Sequence, residues 1–169
     1  AYALRTKYKG KKVSVQLLTN VRSGNCTQNC AYCAQSKDSQ AEIEKYKRVS
    51  DEKLYGDNDL VDEKHLARHC IGLSGIGFSD EEIEDLADRI REMKKKDTQI
   101  CCSIGFLTEK QARILKDAGL DRINHNLNSS RSFYPEICTT HTYDQRVNNI
   151  KMLQSLGFEI CSGGIVGMG

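Results

Sequence analysis

Three of the eight cysteines in this 169-residue chain, Cys26, Cys30 and Cys33, form a C-x3-C-x2-C run. Thiolates hold iron–sulfur clusters, and a [4Fe–4S] cube normally takes four of them. Three close thiolates would fill three corners and leave one iron open for chemistry. A structural zinc site wants four ligands, usually in paired C-x2–4-C units. His65 and His69 are the nearest histidines downstream and have i, i+4 spacing, but they lie in a charged segment that reads as helical. Zinc, and three unrelated loop cysteines, stand as the alternatives.

The elements that would position this loop follow a repeating pattern. Residues 13–18 read as a strand, rich in β-branched and apolar side chains, and the cysteine loop comes directly after it. Residues 36–64 are charged and predict a surface loop or helix, then a helix running into Leu66 and Ala67; the run from Glu42 to Lys53 reads as a solvated face. Strands are expected at 70–74, 99–104, 122–127 and 159–166. Between them, Ser79 with Glu82, Thr108 with Gln111, and Thr142 with Gln145 read as capping boxes opening three helices. Gly119 and Gly157 read as helix stops. Alternating strands and helices with short connections predict a parallel sheet with helical crossovers. Five strands fall short of the eight of a closed barrel of about 250 residues. A doubly wound sheet is the structural alternative, disfavoured because no G-x-G-x-x-G follows the first strand.

Side chains alternate faces along a strand. The apolar faces, with Ile71, Leu73, Cys102, Ile104, His125 and Leu127, should meet the helices. The small and polar faces should then point inward together. That places Cys70, Cys101 and Cys161 inside, with Asn124, Asn126 and Asn128. Buried cysteines also serve as small hydrophobes, and a helix-facing His125 is most simply a core residue with its hydrogen bonds satisfied. Cys138 falls in a loop near Pro135; a C-x2-H pair with His141 is a weak signal.

The cysteine run, with aromatic Tyr32 before its last member, resembles the radical S-adenosylmethionine (SAM) superfamily. That resemblance implies that Cys26, Cys30 and Cys33 bind a [4Fe–4S] cluster whose open iron takes SAM, that SAM cleavage yields a 5′-deoxyadenosyl radical, and that Tyr32 lies near the adenine. It also implies a (β/α)8 TIM-type barrel, here partial: about five parallel strands with outer helices, over a core at 13–169 preceded by an extension at 1–12. Cys26–Gln35, Asn124-His125-Asn126-Leu127, Thr140-His141-Thr142-Tyr143 with Arg146, and the stretch from Cys161 to Gly169 are more specifically similar to the biotin synthase family.

That family resemblance implies conversion of dethiobiotin to biotin, with a second, sacrificial [2Fe–2S] cluster as sulfur donor on Cys70, Cys101 and Cys161 and on an arginine of a later strand outside this sequence. It further implies SAM contacts from Asn126, Asn128, Arg146, Gly163 and Gly164, and a dethiobiotin contact from Asn126. An electron donor such as flavodoxin or ferredoxin, and a homodimer, are the partners implied. Asn128 stands where the family usually carries an acidic residue, which puts SAM affinity at issue. A mutase, lyase or maturase of the same superfamily, and a non-catalytic iron–sulfur or zinc protein, are the competing functions.

Composition narrows the field further. Lys+Arg 25 against Asp+Glu 23 gives +2, so no charge excess favours nucleic acid or an anionic membrane. No apolar run approaches the roughly 18–20 residues of a spanning helix. Helical patterns with enough apolar residues for a core argue against a disulfide scaffold. A reducing compartment, hence the cytoplasm, is expected. The chain opens on Ala and stops within a Gly-rich stretch, and both ends read as cut from a longer protein.

Overall fold

The computed structural model describes residues 1–169. Its elements run α1 (Tyr2–Lys9), β1 (Leu17–Arg22), α2 (Asp51–Glu63), β2 (His69–Leu73), α3 (Asp80–Met93), β3 (Ile100–Ser103), α4 (Glu109–Asp117), β4 (Arg122–Asn124), α5 (Tyr134–Ile137), α6 (Tyr143–Ser155) and β5 (Glu159–Cys161). The five strands form one parallel sheet in chain order, β1-β2-β3-β4-β5. A doubly wound sheet would reverse direction part-way; this one winds only onward, as successive units of a (β/α)8 barrel do.

Register separates the two faces. Ile71 pairs with Cys102, Cys102 with Ile123, and Ile123 with Ile160. Residues opposite each other in a ladder share a face, and Ile71, Cys102 and Ile123 are each fully buried against the helices. Burial of a branched aliphatic side chain contributes about 1.5–3 kcal/mol, so this row fixes which face turns inward. The helices supply matching stripes: Ile83, Leu86, Ala87, Ile90 and Met93 from α3, Ala112 and Leu115 from α4, and Leu153 from α6. All three capping boxes form, with Glu82, Gln111 and Gln145 as their return partners; each cap contributes about 1 kcal/mol. Gly119 and Gly157 follow the last turns at φ 96° and 77°, where a side chain would be strained.

Several expectations are corrected. The first strand is Leu17–Arg22, four residues later than the pattern at 13–18; Val13 and Val15 are exposed. The later strands are short, and β4 and β5 end at Asn124 and Cys161. Residues 36–50 form a loop, and α2 stops at Glu63. One face of this helix is packed inward. Leu54 and Val61 are buried, and Asp57 accepts from Thr19 Oγ1 at 2.6 Å and from Lys53 Nζ at 2.5 Å. His65 lies beyond α2 and His69 within β2, beside Thr19 and Asn58, so the two share no helical face. His125 is buried as expected, but neither ring nitrogen has a hydrogen-bond partner; its ring stands edge-on to Phe106. No helix is long and apolar enough to cross a membrane.

Candidate functional site

The loop after β1 turns sharply into the three cysteines. Gly24 and Asn25 both have positive φ, 74° and 55°, a conformation that glycine and asparagine tolerate best. Gln35 returns its side-chain oxygen to the Gly24 amide, and Ser36 Oγ donates to the Gln28 carbonyl at 3.1 Å. The far side of the loop is fastened to the segment around α5. Asn29 Oδ1 accepts from the amides of Thr139 and Thr140 at 3.1 and 3.3 Å, and its Nδ2 donates to Thr139 Oγ1 at 2.7 Å. The Ala31 amide donates to the Ile137 carbonyl at 2.9 Å. Short α5 and this fastening are absent from the sequence expectations. Asn29 is a loop asparagine like many others until its partners, more than a hundred residues away, are known.

Cys26, Cys30 and Cys33 line one cavity of about 310 Å³ at the carboxyl ends of the strands. Tyr32, Asn126, Asn128 and Arg146 line it too, as do the backbones of Gly72 and Gly105 and the side chain of Asn124. Arg146 is held from three sides. Its Nε donates to Tyr134 Oη at 2.6 Å and approaches His141 Nε2 at 3.1 Å, while one terminal nitrogen donates to the Asn126 carbonyl at 3.1 Å. Asn128 donates to Tyr32 Oη at 2.5 Å from a left-handed backbone, φ 69°. Gly163 and Gly164 do not line the cavity. They lie alongside residues 126–128, where the Gly163 carbonyl accepts from the amides of Leu127 and Asn128. A Cβ on Gly164 would stand 3.3 Å from the Asn128 carbonyl oxygen.

Burial sets the protonation of this region. It pushes the Cys30 thiol up to about 12, with Cys138 beside it adding to the shift. It also raises Tyr32, and it lowers His141 to about 4, helped by the charge of Arg146. Cys138 feels the same burial, yet hydrogen bonds from Thr140 and His141 bring its thiol below the ordinary value. His141 is therefore neutral near pH 7. Cys138, expected in a loop without a role, is buried, and its Sγ lies 3.8 Å from that of Cys30.

The second thiol set lies on the inner face of the sheet. Cys70 pairs directly with Cys101, and Cys101 with Arg122. Cys161 pairs with Asn124, which pairs with Ser103, two positions beyond Cys101. A barrel of shear 8 over eight strands offsets equal heights by about one residue per strand. Two strands on, the offset of Cys161 therefore brings it level with Cys101. A hydrogen bond with Cys101 lowers Cys70 to about 7 against the cost of burial, and the charges of Arg68 and Arg122 add to the lowering. The same bond, burial and the neighbouring thiols push Cys101 up. Arg122, paired foremost with Glu159, also feels Cys101 and Cys161. Cys161 is exposed and Leu18 is 67% exposed, so this inner face is open. Arg68 and Arg122 are site features the sequence expectations missed; parity alone could have placed Arg122 beside Cys101.

Between the two sets runs one polar row. Asn20 pairs with Gly72, Gly72 with Ser103, Ser103 with Asn124, and Asn124 with Cys161. Asn124 Oδ1 is buried without a hydrogen-bond partner, and a Cβ on Gly72 would meet nothing nearer than 3.8 Å. Donor chemistry suits two groups: an iron–sulfur cluster on the loop thiols, with a polar ligand beside Arg146, and a smaller cluster on the strand thiols, two of which are direct ladder partners.

Residues 20–169 match the family described as the Radical SAM superfamily. Among curated relatives, the biotin synthase of Magnetococcus marinus (strain ATCC BAA-1437 / JCM 17883 / MC-1) is 42% identical over 170 residues, 100% of this chain and 53% of the relative. That of Bacillus subtilis (strain 168) is 41% identical over 169 residues, 99% and 50% of the two chains. The chain thus spans about half the length of the curated relatives it matches. Among solved structures, methylornithine synthase (PylB) superposes with a TM-score of 0.84 at 16% identity, over 98% of this chain and 49% of that one. The FeFe-hydrogenase maturase HydG from Carboxydothermus hydrogenoformans gives 0.83 at 20% identity, over 99% and 40%. At such identities these two speak to the fold alone.

Proposed function

The chain belongs to the radical SAM superfamily, and from that premise we propose that it is the radical-generating and sulfur-donating part of a biotin synthase, acting on dethiobiotin. The observation that carries this reading is the stacking of two thiol sets, three on the loop at the cavity and three on the inner face of the sheet beneath it. When bound, a [4Fe–4S] cluster with SAM supplies a 5′-deoxyadenosyl radical, and a [2Fe–2S] cluster supplies the sulfur.

Cys26, Cys30 and Cys33 would hold the first cluster, and Cys70, Cys101 and Cys161 the second. Arg68 and Arg122 favour the thiolate form of Cys70, which ligation needs. Arg146, its guanidinium fixed by Tyr134 and by the Asn126 carbonyl, is oriented for a charge-assisted contact with the SAM carboxylate. Neutral His141 can accept from that guanidinium without adding a competing charge. Tyr32 offers a ring edge to the adenine, and Asn128 fixes its hydroxyl. Gly163 and Gly164 act on this reading by letting their backbone hold the Asn126–Asn128 segment close. Asn126 would reach both SAM and the ureido group of dethiobiotin. Gly72, without a side chain, keeps the wall beside Asn20 and Leu18 low. A flavodoxin- or ferredoxin-type donor and a homodimer complete the reading.

The experiment joins this chain to the carboxyl-terminal half of the Bacillus subtilis biotin synthase and supplies dethiobiotin, SAM and reductant without oxygen. Biotin formation, lost in Cys161→Ala, is the expected result. A joined protein that assembles both clusters and cleaves SAM but yields no biotin refutes the proposal.

A further inference from the structure

The middle thiol of the loop faces Cys138, which the reading above leaves idle, and His141, used there only as a neutral acceptor. Cys30 Sγ lies 3.8 Å from Cys138 Sγ, and Cys138 Sγ lies 3.3 Å from His141 Nδ1. The three atoms all fall within 4.8 Å of one another, and all three residues are buried. We propose that, before any cluster is in place, Cys30, Cys138 and His141 form a binding site for one divalent transition cation of the zinc type, held by two sulfurs and Nδ1.

The geometry can be checked against zinc chemistry. With Zn–S of about 2.3 Å and Zn–N of about 2.0–2.1 Å, tetrahedral ligands stand about 3.8 Å apart for two sulfurs and about 3.6 Å for sulfur and nitrogen. The chain presents 3.8 and 3.3 Å. Two of the three ligand spacings thus lie near zinc values, and the third, Cys30 Sγ to His141 Nδ1, is within 4.8 Å. The surroundings also suit it. With Nδ1 on the cation, the ring proton moves to Nε2, which lies 3.0 Å from Tyr134 Oη; metal-bound histidines usually have such an outer hydrogen bond. Arg146 Nε then gives its hydrogen to the nearer Tyr134 oxygen, at 2.6 Å. Gln28 Oε1, now 2.9 Å from Nδ1, is an oxygen available for the fourth position, as is water. Asn29 and Ala31 fasten the two segments that supply the ligands, so little order is lost on binding. Binding releases the protons of both thiols and changes no oxidation state.

This site and the proposed [4Fe–4S] cluster both claim Cys30, so occupancy of one opposes the other. Cys30 and His141 also serve the function proposed above, and the test reads metal, not biotin. Cobalt(II) replaces zinc as a visible probe, in the chain carrying Cys26→Ser, Cys33→Ser, Cys70→Ser, Cys101→Ser and Cys161→Ser. One cobalt per chain with thiolate charge-transfer bands is expected. Adding Cys138→Ser or His141→Ala should weaken binding by at least about tenfold. Absence of cobalt binding in the folded five-serine chain, or undiminished binding after Cys138→Ser, overturns the proposal. Should the five-serine chain fail to fold, the natural chain decides. One equivalent of zinc should slow anaerobic cluster assembly there, and Cys138→Ser should relieve the block while leaving zinc-free assembly unchanged. Equal inhibition of both chains, or none in the natural chain, overturns it.

Discussion

Gly105 is the position where a single methyl group should do the most harm. It follows β3 and lines the cavity. A Cβ there would stand 2.3 Å from the Ile76 carbonyl oxygen, 2.5 Å from its carbon and 2.7 Å from Ile76 Cα. All three are backbone atoms, so no side chain can swing aside. The next amide, Phe106, donates to that same Ile76 carbonyl at 2.7 Å. Gly105→Ala must therefore part the β2 and β3 loops and break this bond. Overpacking costs about 1–3 kcal/mol and the lost hydrogen bond about 1 kcal/mol. The stiffer unfolded chain returns about 0.4–1 kcal/mol. The net is a loss of about 2 kcal/mol, or about 4–8 °C in Tm for a chain of this size. Gly56, inside α2 with nothing within 4 Å of a built Cβ, is the control. Gly56→Ala should stabilise by about 0.5–1 kcal/mol through helix propensity. Urea and thermal unfolding of both variants supply the measurement. If Gly105→Ala unfolds within about 0.5 kcal/mol of the parent, the close approach that shapes the cavity wall is wrong.

Other consequences can be measured in parallel. Lys53 and Thr19 hold the buried Asp57 carboxyl below the ordinary range despite the cost of its burial. The folded state therefore binds fewer protons there. The stabilisation is complete above the unfolded value near 4 and drains as pH falls through the folded one. Asp57→Asn should cost about 1–3 kcal/mol at pH 7 and flatten the acid limb of stability against pH; an unchanged limb counts against the network. Asn29→Ala should release the cysteine loop from Thr139 and Thr140 and speed chelator-driven loss of iron several-fold, whereas an unaltered rate would mean the fastening is idle. Cys161→Ala should keep SAM cleavage while losing the [2Fe–2S] absorption. Retention of that absorption would remove Cys161 from the second cluster.

The fold was legible where local chemistry decides structure. Ser79, Thr108 and Thr142 each open a helix because their caps and return partners sit within one turn. Parity placed Cys102 against the helices and Cys70 with Cys101 on the other face, since a period of two needs only the strand's approximate position. The start of β1 is not legible because Val13 and Val15 have strand character yet lie exposed ahead of the ladder, Val15 making one backbone bond to Ala67; the ladder itself begins at Leu17 opposite His69. Asp57 and Cys138 were illegible for a related reason. Thr19 lies 38 residues from Asp57 and Cys30 lies 108 from Cys138, and charge or loop context alone reads such residues as solvent-facing.

The central claim is that three loop thiols hold a cluster with one iron left for SAM. Its most direct test is anaerobic reconstitution of the chain with iron and sulfide, reduction, and measurement of 5′-deoxyadenosine from added SAM. A four-iron signal with SAM cleavage, both abolished by Cys30→Ala, is the predicted result. A four-iron cluster that still assembles in the Cys26→Ala, Cys30→Ala, Cys33→Ala chain, or one that forms on the loop yet leaves SAM intact, would contradict the account.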